Sequence, residues 1–234
     1  MTAEELTRLV SCSSERTYGT DALEEVMVTG GEPALDTEYL LELVGMLRSV
    51  SGRVTVQTNA SKLTPRAIDA LIGSGMDGLV VDIKALDSDK HVHYTGHSNE
   101  SVLSNVAYAC PRVSMVANTL LMPGFVDVPE ICAIAKFISE CDPMDLEYRI
   151  NPFRADLSPE RLFRTPDDSE VERAAEAARH YYHRTVGSRS CLKETQGGRS
   201  RSWLTVLPNG QMERRGLADY RRKNDEMFRD GADL

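Results

Sequence analysis

The chain has 234 residues, of which 41% are hydrophobic and 27% are charged, a composition typical of a globular protein with a buried core. Its formal net charge of −9 argues against a general attraction to nucleic acid or anionic membranes, because both are bound through cationic patches. No apolar stretch approaches the roughly 18 residues that a membrane span needs. We therefore expect a cytoplasmic protein without nucleic-acid or membrane partners.

The predicted elements begin with an acidic amphipathic helix, MTAEELTRLV. Five runs rich in β-branched residues follow, and stretches with apolar residues at helical spacing separate them. The predicted strands are residues 24–29, 53–58, 78–84, 112–121 and 145–150. The predicted helices are residues 37–50, 64–75, 128–140 and 168–183, with Asp36 as an N-cap and Pro65 in a first turn.

The apolar runs are continuous rather than alternating, which is typical of a parallel sheet covered by helices. Five βα units are too few for an eightfold barrel and fit an open or partial barrel. Because the chain opens on a helix, we expect that the strand which should precede this helix is missing.

The C-terminal part of the sequence has a different character. Residues 197–202 form a predicted flexible loop, and SWLTVLPNGQMERR predicts two short strands around a turn at Pro208-Asn209-Gly210. The stretch LADYRRKNDEMFRD predicts a polar helix. We therefore divide the chain into a barrel, residues 1–195, and an extension, residues 196–234.

Functional residues of parallel βα folds lie where the strands end. Gly30 and Gly31 follow the first strand, and glycine lets a ligand approach the backbone. The adjacent Glu32 carboxylate would suit an ammonium group, and Lys84 at the end of the third strand would pair with a carboxylate. Together these groups would hold the two ends of an amino-acid moiety. Taken alone, the glycine pair would favour a plain turn. Lys84 has the alternative of a surface lysine, but a surface lysine rarely ends a fully apolar strand.

Three motifs in chain order resemble radical S-adenosylmethionine enzymes. They are VTGGEPALD after the first strand, QTNA after the second, and VDIKALDSDKHVHYTGHSNESVLSNV after the third. Within that family the chain resembles the activating enzymes of glycyl-radical enzymes, and the later segments NTLLMPGFVD and LEYRINPFR fit the same order. The resemblance covers about residues 3–154.

The resemblance implies an α/β fold, a partial parallel (β/α)6-type barrel that here lacks its first βα unit and is followed by the hairpin and helix. It implies S-adenosylmethionine as a cofactor, with its amino group at the glycine edge and its ribose side and carboxylate near Asp82 and Lys84. The residues that it places around this cofactor are Gly30, Gly31, Glu32, Pro33, Thr58, Asn59, Asp82, Lys84, Asn118 and Arg154.

The sequence departs from the family at its metal site. The family binds a [4Fe–4S] cluster through a CxxxCxxC loop, which requires three thiolates to converge on one cubane. The cysteines of this chain are widely spaced, at Cys12, Cys110, Cys132, Cys141 and Cys191. We expect that the chain as given does not ligate the cluster, and N-terminal truncation is the simplest account.

Two further departures concern the substrate. The DTNG motif of the family is here Gln57-Thr58-Asn59-Ala60, which lacks a carboxylate and a glycine. Arg154 stands where activating enzymes often carry a histidine. Both differences leave the substrate open.

The resemblance implies a protein of the type that generates a 5′-deoxyadenosyl radical and abstracts hydrogen from a glycyl-radical enzyme or another substrate. Without cluster cysteines we expect the chain to be inactive alone. One alternative is a cluster-free barrel that binds a nucleoside or docks a partner. Another is a Schiff-base aldolase with Lys84 as its nucleophile.

His91, His93 and His97 form a histidine cluster within one short segment. Helical positions i and i+2 diverge, so the pair His91 and His93 does not favour a shared metal. We interpret this segment as part of the rim of the barrel and expect no metal there.

Overall fold

The computed structural model describes residues 1–20, 23–141, 146–155, 162–187, 202–207 and 209–216. Within these ranges six parallel strands form one sheet, and their order in the sheet is their order in the chain. The strands are β1 (Val26–Val28), β2 (Val54–Thr58), β3 (Gly78–Asp82), β4 (Ser114–Leu121), β5 (Glu147–Pro152) and β6 (Thr185–Gly187). Parallel strands in chain order, separated by helices, make up a partial α/β barrel.

In the described part of the chain, seven helices lie before and between these strands. They are α1 (Ala3–Tyr18), α2 (Thr37–Leu47), α3 (Pro65–Gly73), α4 (Ser88–Thr95), α5 (Glu100–Ala109), α6 (Val128–Cys141) and α7 (Asp168–Arg179), and Pro33–Leu35 forms a short 3-10 helix. The Asp36 side chain caps α2 by accepting a hydrogen bond of 3.0 Å from the backbone N–H of Tyr39, as the sequence predicts. Pro65 begins α3, where its missing N–H has no helical partner to lose.

The two faces of the sheet differ in exposure. Side chains of β4 alternate between buried and half-buried, and β5 shows the same alternation over most of its length. The buried face carries Val56, Val81, Ala117 and Ile150, which pack in one core with apolar side chains of the helices. The opposite face carries half-buried polar side chains and is called the open face below; its members include Gln57, Asp82, Asn118 and Arg149.

The predicted strands agree with β1–β5 to within a few residues at each end. The sixth strand, β6, was not predicted, because it has only three residues, one of them a glycine. The predicted helix at 168–183 ends earlier, at Arg179, which leaves room for β6 to pair with β5. The segment containing the histidine cluster, interpreted as rim, contains the regular helix α4.

The predicted hairpin is confirmed. Strands β7 (Ser202–Val206) and β8 (Met212–Gly216) pair antiparallel, and Gly210 adopts a φ of +79° in the connecting turn. The loop predicted at 197–202 lies outside the described residues except for Ser202, which begins β7. The predicted polar helix after residue 216 and the domain boundary at residue 195 also lie outside them. Within the described ranges, no helix is both long and apolar enough to cross a membrane.

Candidate functional site

The C-terminal ends of β1–β5 lie at one edge of the sheet, which we call the site edge. The strand register aligns the residues there, with Asp82 paired to Asn118 and Asn118 paired to Arg149. Polar side chains from neighbouring strands are therefore side by side on the open face. Parallel α/β folds bind ligands at this edge.

The loop after β1 presents an accessible backbone at Gly30 and Gly31. Gly30 has a φ of +134°, a conformation that side-chain-bearing residues rarely adopt. A Cβ atom added at either glycine would meet no other atom within 4 Å, so the space beside this loop is open. Among the described residues, the backbone N–H and C=O groups of this glycine pair make no hydrogen bond with one another or with their surroundings.

The carboxylate of Glu32 fastens the loop after β1 to the loop after β2. Its oxygens accept hydrogen bonds from the Thr58 hydroxyl, from the backbone N–H of Asn59 at 2.7 Å and from the backbone N–H of Ala34 at 3.0 Å. The sequence alone suggested an ammonium ligand for this carboxylate. The structure gives it three donors from the protein itself, so its first role is to hold the two loops together.

The loop after β2 has an unusual backbone at Ala60. This residue has a φ of +60°, the left-handed region in which glycine is normally found, and it is 1% exposed. The Asn105 side chain, from α5, donates hydrogen bonds to the backbone carbonyls of Ala60, at 2.9 Å, and Leu63. Asn105 was not among the predicted site residues. The signal for it is a polar residue on the otherwise apolar stripe of α5.

A second hydrogen-bonded group lies at the end of β3. The ammonium group of Lys84 is 3.1 Å from Oδ2 of Asp82, and the Asn118 amide donates to Oδ1 of Asp82 at 3.4 Å. The side chains of Lys84 and Asp82 are 26% and 30% exposed, so a ligand can reach both. This pair combines a cation and an acceptor oxygen on the open face.

The structure therefore sorts the predicted residues into two groups at the site edge. Glu32 joins Thr58 and Asn59, and Gly30, Gly31 and Pro33 lie in the same loop as Glu32. Asp82 joins Lys84 and Asn118, and no hydrogen bond among the described side chains links this group with the first. Arg154 is half-buried and lies two residues beyond the end of β5.

The described cysteines do not form a cluster site. Cys12 is exposed on α1, Cys110 is buried at the end of α5, and Cys132 and Cys141 are both on α6. Nine residues of helix separate the last two by about 13 Å. Burial raises the pKa of the Cys132 thiol, which disfavours the thiolate that iron requires. Cys191 lies outside the described residues.

The histidine cluster has a structural explanation as well. His91 is 4% exposed, and its Nδ1 lies 2.8 Å from the backbone carbonyl of His97. The His93 ring packs against Phe125, with centroids 5.3 Å apart. No group of three or more His, Cys, Asp or Glu residues in the described part of the chain is placed to hold a metal ion.

Comparison with known proteins identifies the family of this arrangement. The profile of the radical SAM superfamily matches residues 13–138, which is more than half of the chain. A protein of Methanocaldococcus jannaschii that bears the name of a glycyl-radical enzyme activating enzyme is 32% identical over 167 residues, covering 68% of this chain and 61% of that protein. The indoleacetate decarboxylase activating enzyme of Tractidigestivibacter scatoligenes is 32% identical over 120 residues, covering 50% of this chain and 37% of that enzyme. The matches thus span less than two thirds of the length of these relatives.

A solved structure supports the fold. A domain of a pyruvate formate-lyase activating enzyme from Bacteroides vulgatus superposes with a TM-score of 0.60 at 19% identity, covering 70% of this chain and 99% of that one. At this identity the likeness concerns the fold, and the fold it supports is the partial barrel.

Proposed function

This chain belongs to the radical S-adenosylmethionine superfamily, and from that premise we propose that its site edge binds S-adenosylmethionine for an activating type of enzyme. The observation that carries the proposal is that the same edge of the sheet has an open glycine backbone after β1 and a partly exposed lysine after β3. Neighbouring strands are about 4.8 Å apart, so β1 and β3 are about 10 Å apart, a gap that the long Lys84 side chain narrows. One amino-acid moiety can then meet both.

Each group at the site edge has a proposed role. The backbone carbonyls of Gly30 and Gly31 accept hydrogen bonds from the ammonium group of the ligand, and Lys84 donates to its carboxylate. Asp82 and Asn118 contact the ribose side. The remaining predicted residues, Pro33, Thr58, Asn59 and Arg154, line the rest of the site, and Glu32 fixes the shape of the loop that presents the glycines.

When bound, S-adenosylmethionine supplies the 5′-deoxyadenosyl group that radical SAM enzymes use for hydrogen abstraction. The residues of this chain bind and orient that cofactor. The [4Fe–4S] cluster of the family does not fit the cysteines of the described residues, and we assign no step to it here. By analogy with its relatives, the proposed partner is a glycyl-radical enzyme.

Two other functions remain as competing proposals. A cluster-free barrel that binds a nucleoside or docks a partner is favoured by the scattered cysteines. A Schiff-base aldolase needs the Lys84 nitrogen free to attack a carbonyl carbon, whereas here this nitrogen lies 3.1 Å from the Asp82 carboxylate. Borohydride trapping of Lys84 with a keto acid would support the aldolase.

The deciding experiment is calorimetric titration of the full chain with S-adenosylmethionine and with decarboxylated S-adenosylmethionine, which lacks only the carboxylate. We expect the chain to prefer S-adenosylmethionine by about ten- to a hundredfold, since a charge-assisted hydrogen bond contributes about 1.5–3 kcal/mol. Lys84→Ala should abolish this preference. Lys136→Ala, at an exposed position on α6, is the matched control and should keep it. Equal affinity for both compounds, or no saturable binding, would rule the proposal out.

A further inference from the structure

The segment between β3 and α4 positions Lys84, although it has no regular secondary structure. Ile83 and Ala85 are both 0% exposed, whereas the Lys84 side chain between them is 26% exposed. The burial of its two neighbours fixes the side of the segment from which Lys84 projects. The direction of its ammonium group therefore depends on how firmly the backbone of residues 83–87 is held.

Glu130, in the first turn of α6, holds this segment from one side. Its side chain is 7% exposed, and Oε1 accepts hydrogen bonds from the backbone N–H groups of Leu86, at 2.6 Å, and Asp87, at 2.8 Å. Its other oxygen, Oε2, lies 3.3 Å from the ammonium group of Lys90. A buried carboxylate is costly without such partners, and here the donors are backbone groups of the lysine-bearing segment.

Asn99 holds the same segment from the other side. This residue is 4% exposed, and its Nδ2 donates to the backbone carbonyls of Leu86, at 2.7 Å, and Ala85, at 3.3 Å. Asn99 occupies the N-cap position of α5, yet its side chain makes no capping hydrogen bond to that helix. Its amide is committed to the segment after β3 instead.

The backbone of Ile83 completes the attachment. Its N–H donates to the carbonyl of Asn118 at 2.8 Å, and its carbonyl accepts from the Thr119 hydroxyl at 2.9 Å. From residue 83 to residue 87, backbone groups on both sides of Lys84 are thus held by β4, α6 and the start of α5. Lys84 itself is held by its neighbours, and its side chain remains available to a ligand.

We propose that Glu130 and Asn99 are positioning residues that hold the backbone around Lys84 so that its ammonium group meets the ligand carboxylate. This inference rests on the proposed function and deepens it. Without these hydrogen bonds the backbone of residues 85–87 would be held less firmly, and part of it would have to be ordered when the ligand binds. Ordering the backbone of a single residue reduces an equilibrium constant by roughly a factor of ten.

The experiment measures the affinity of the full chain for S-adenosylmethionine and for its decarboxylated form in four variants. Glu130→Ala removes the oxygen that accepts hydrogen bonds from the backbone N–H groups of Leu86 and Asp87. Glu130→Gln keeps an acceptor oxygen for these two groups but loses the charge. Asn99→Asp keeps the shape of the side chain but replaces the donor with an acceptor. Lys84→Ala combined with Glu130→Ala tests whether Glu130 acts through the lysine.

We expect Glu130→Ala and Asn99→Asp to reduce the preference for S-adenosylmethionine about tenfold, and Glu130→Gln to restore most of it. In the Lys84→Ala background, Glu130→Ala should change the preference no further. A general loss of stability would weaken the binding of both compounds equally and leave their ratio unchanged. An unchanged ratio in Glu130→Ala and Asn99→Asp would overturn the inference, provided that the wild-type chain shows the preference. If the wild-type chain shows none, the proposed function itself fails.

Amide hydrogen exchange gives an independent measurement if a variant folds poorly at the titration temperature. The amides of Leu86 and Asp87 should exchange at least tenfold faster in Glu130→Ala or Asn99→Asp than in the wild type, at a temperature where α6 stays protected. Unchanged protection of these two amides in both variants would also overturn the inference, because the segment would then be held by other contacts.

Discussion

The side-chain amide of Asn105 donates a hydrogen bond of 2.9 Å to the backbone carbonyl of Ala60, a residue with a left-handed φ of +60°. The left-handed region costs an L-residue with a Cβ about 1–2 kcal/mol, and glycine avoids this penalty. Replacing alanine with glycine also makes the unfolded chain more flexible, at a cost of about 0.4–1 kcal/mol. Glycine also removes a buried methyl group, since Ala60 is 1% exposed, and this costs about 0.8 kcal/mol. The gains and losses nearly cancel, so we expect Ala60→Gly to change the free energy of unfolding by no more than about 0.5 kcal/mol.

Thermal melting checks this expectation. For a chain of this size the midpoint of Ala60→Gly should stay within about 1–2 °C of the wild type. The matched control is Ala70→Gly inside α3, which should lower the midpoint, because glycine destabilises a helix interior by about 0.5–1 kcal/mol. If the melting midpoints of Ala60→Gly and Ala70→Gly fell by the same amount, the backbone of Ala60 would not be strained.

The positions of β1–β3 could be predicted because each strand is a short run rich in valine and bounded by turn residues. In β4 and β5, buried residues alternate with more exposed ones, and polar residues such as Asn118 and Arg149 lie on the open face. Strand β6 could not be predicted, since Thr185–Gly187 is too short to show a pattern and exists through its pairing with β5. Likewise, Ala60 is an alanine in a glycine conformation, and only the backbone reveals it.

The residues of the site edge could be predicted in part, because polar side chains directly after parallel strands meet at one edge. Their hydrogen-bond partners could not, since these come from helices that are distant in sequence. Asn105 reaches the loop after β2, and Glu130 reaches the segment after β3. A sequence pattern shows that both are polar residues at apolar positions of a helix, but does not show which loop each one contacts.

Glu170 provides a test of pH dependence away from the site edge. Its pKa is lowered from 4.5 to about 2, first by the hydrogen bonds from the Arg164 guanidinium and then by the backbone N–H of Asp167. A lowered pKa in the folded state means that the contribution to stability is present above about pH 4.5 and is lost as the pH falls towards 2. Because the Arg164 side chain is 60% exposed, screening by solvent keeps this contribution small.

The measurement compares the free energies of unfolding of wild type and Glu170→Gln across this range. Glutamine can keep the hydrogen bond to the helix N-cap, so the substitution removes mainly the charge. Wild type should be the more stable of the two at pH 6, and the difference should shrink towards pH 2 and in high salt. A difference that grows as the pH falls would contradict the assigned cause.

Iron binding tests the arrangement of the cysteines. One [4Fe–4S] cluster contains about four irons. After anaerobic reconstitution we expect the chain to hold far fewer, because no three of the described cysteines converge. Iron and sulfide analysis is the measurement, with a CxxxCxxC-containing activating enzyme reconstituted in parallel. A full complement of iron together with the absorption of a cubane cluster would contradict this expectation.

Glu32 decides whether the loop after β1 is shaped by the protein or by the ligand. In Glu32→Ala, the Thr58 hydroxyl and the Asn59 N–H, at 2.7 Å from the carboxylate in the wild type, lose their acceptor. Leaving buried donors unsatisfied costs about 1–3 kcal/mol, so the melting midpoint should fall by about 2–10 °C. Glu32→Gln keeps one acceptor oxygen, so its melting midpoint should fall by less than that of Glu32→Ala.

The affinity for S-adenosylmethionine separates this role from a direct contact with the ligand ammonium. If Glu32 acts by holding the two loops together, Glu32→Gln should bind with an affinity within about threefold of wild type, because the neutral side chain can still accept from Asn59. If the carboxylate instead pairs with the ammonium group, the loss of charge should cost about tenfold or more in affinity. Calorimetric titration well below the melting midpoint of each variant distinguishes the two. A tenfold loss in Glu32→Gln with an unchanged melting midpoint would assign Glu32 to the ligand, and the loop-fastening role would have to be given up.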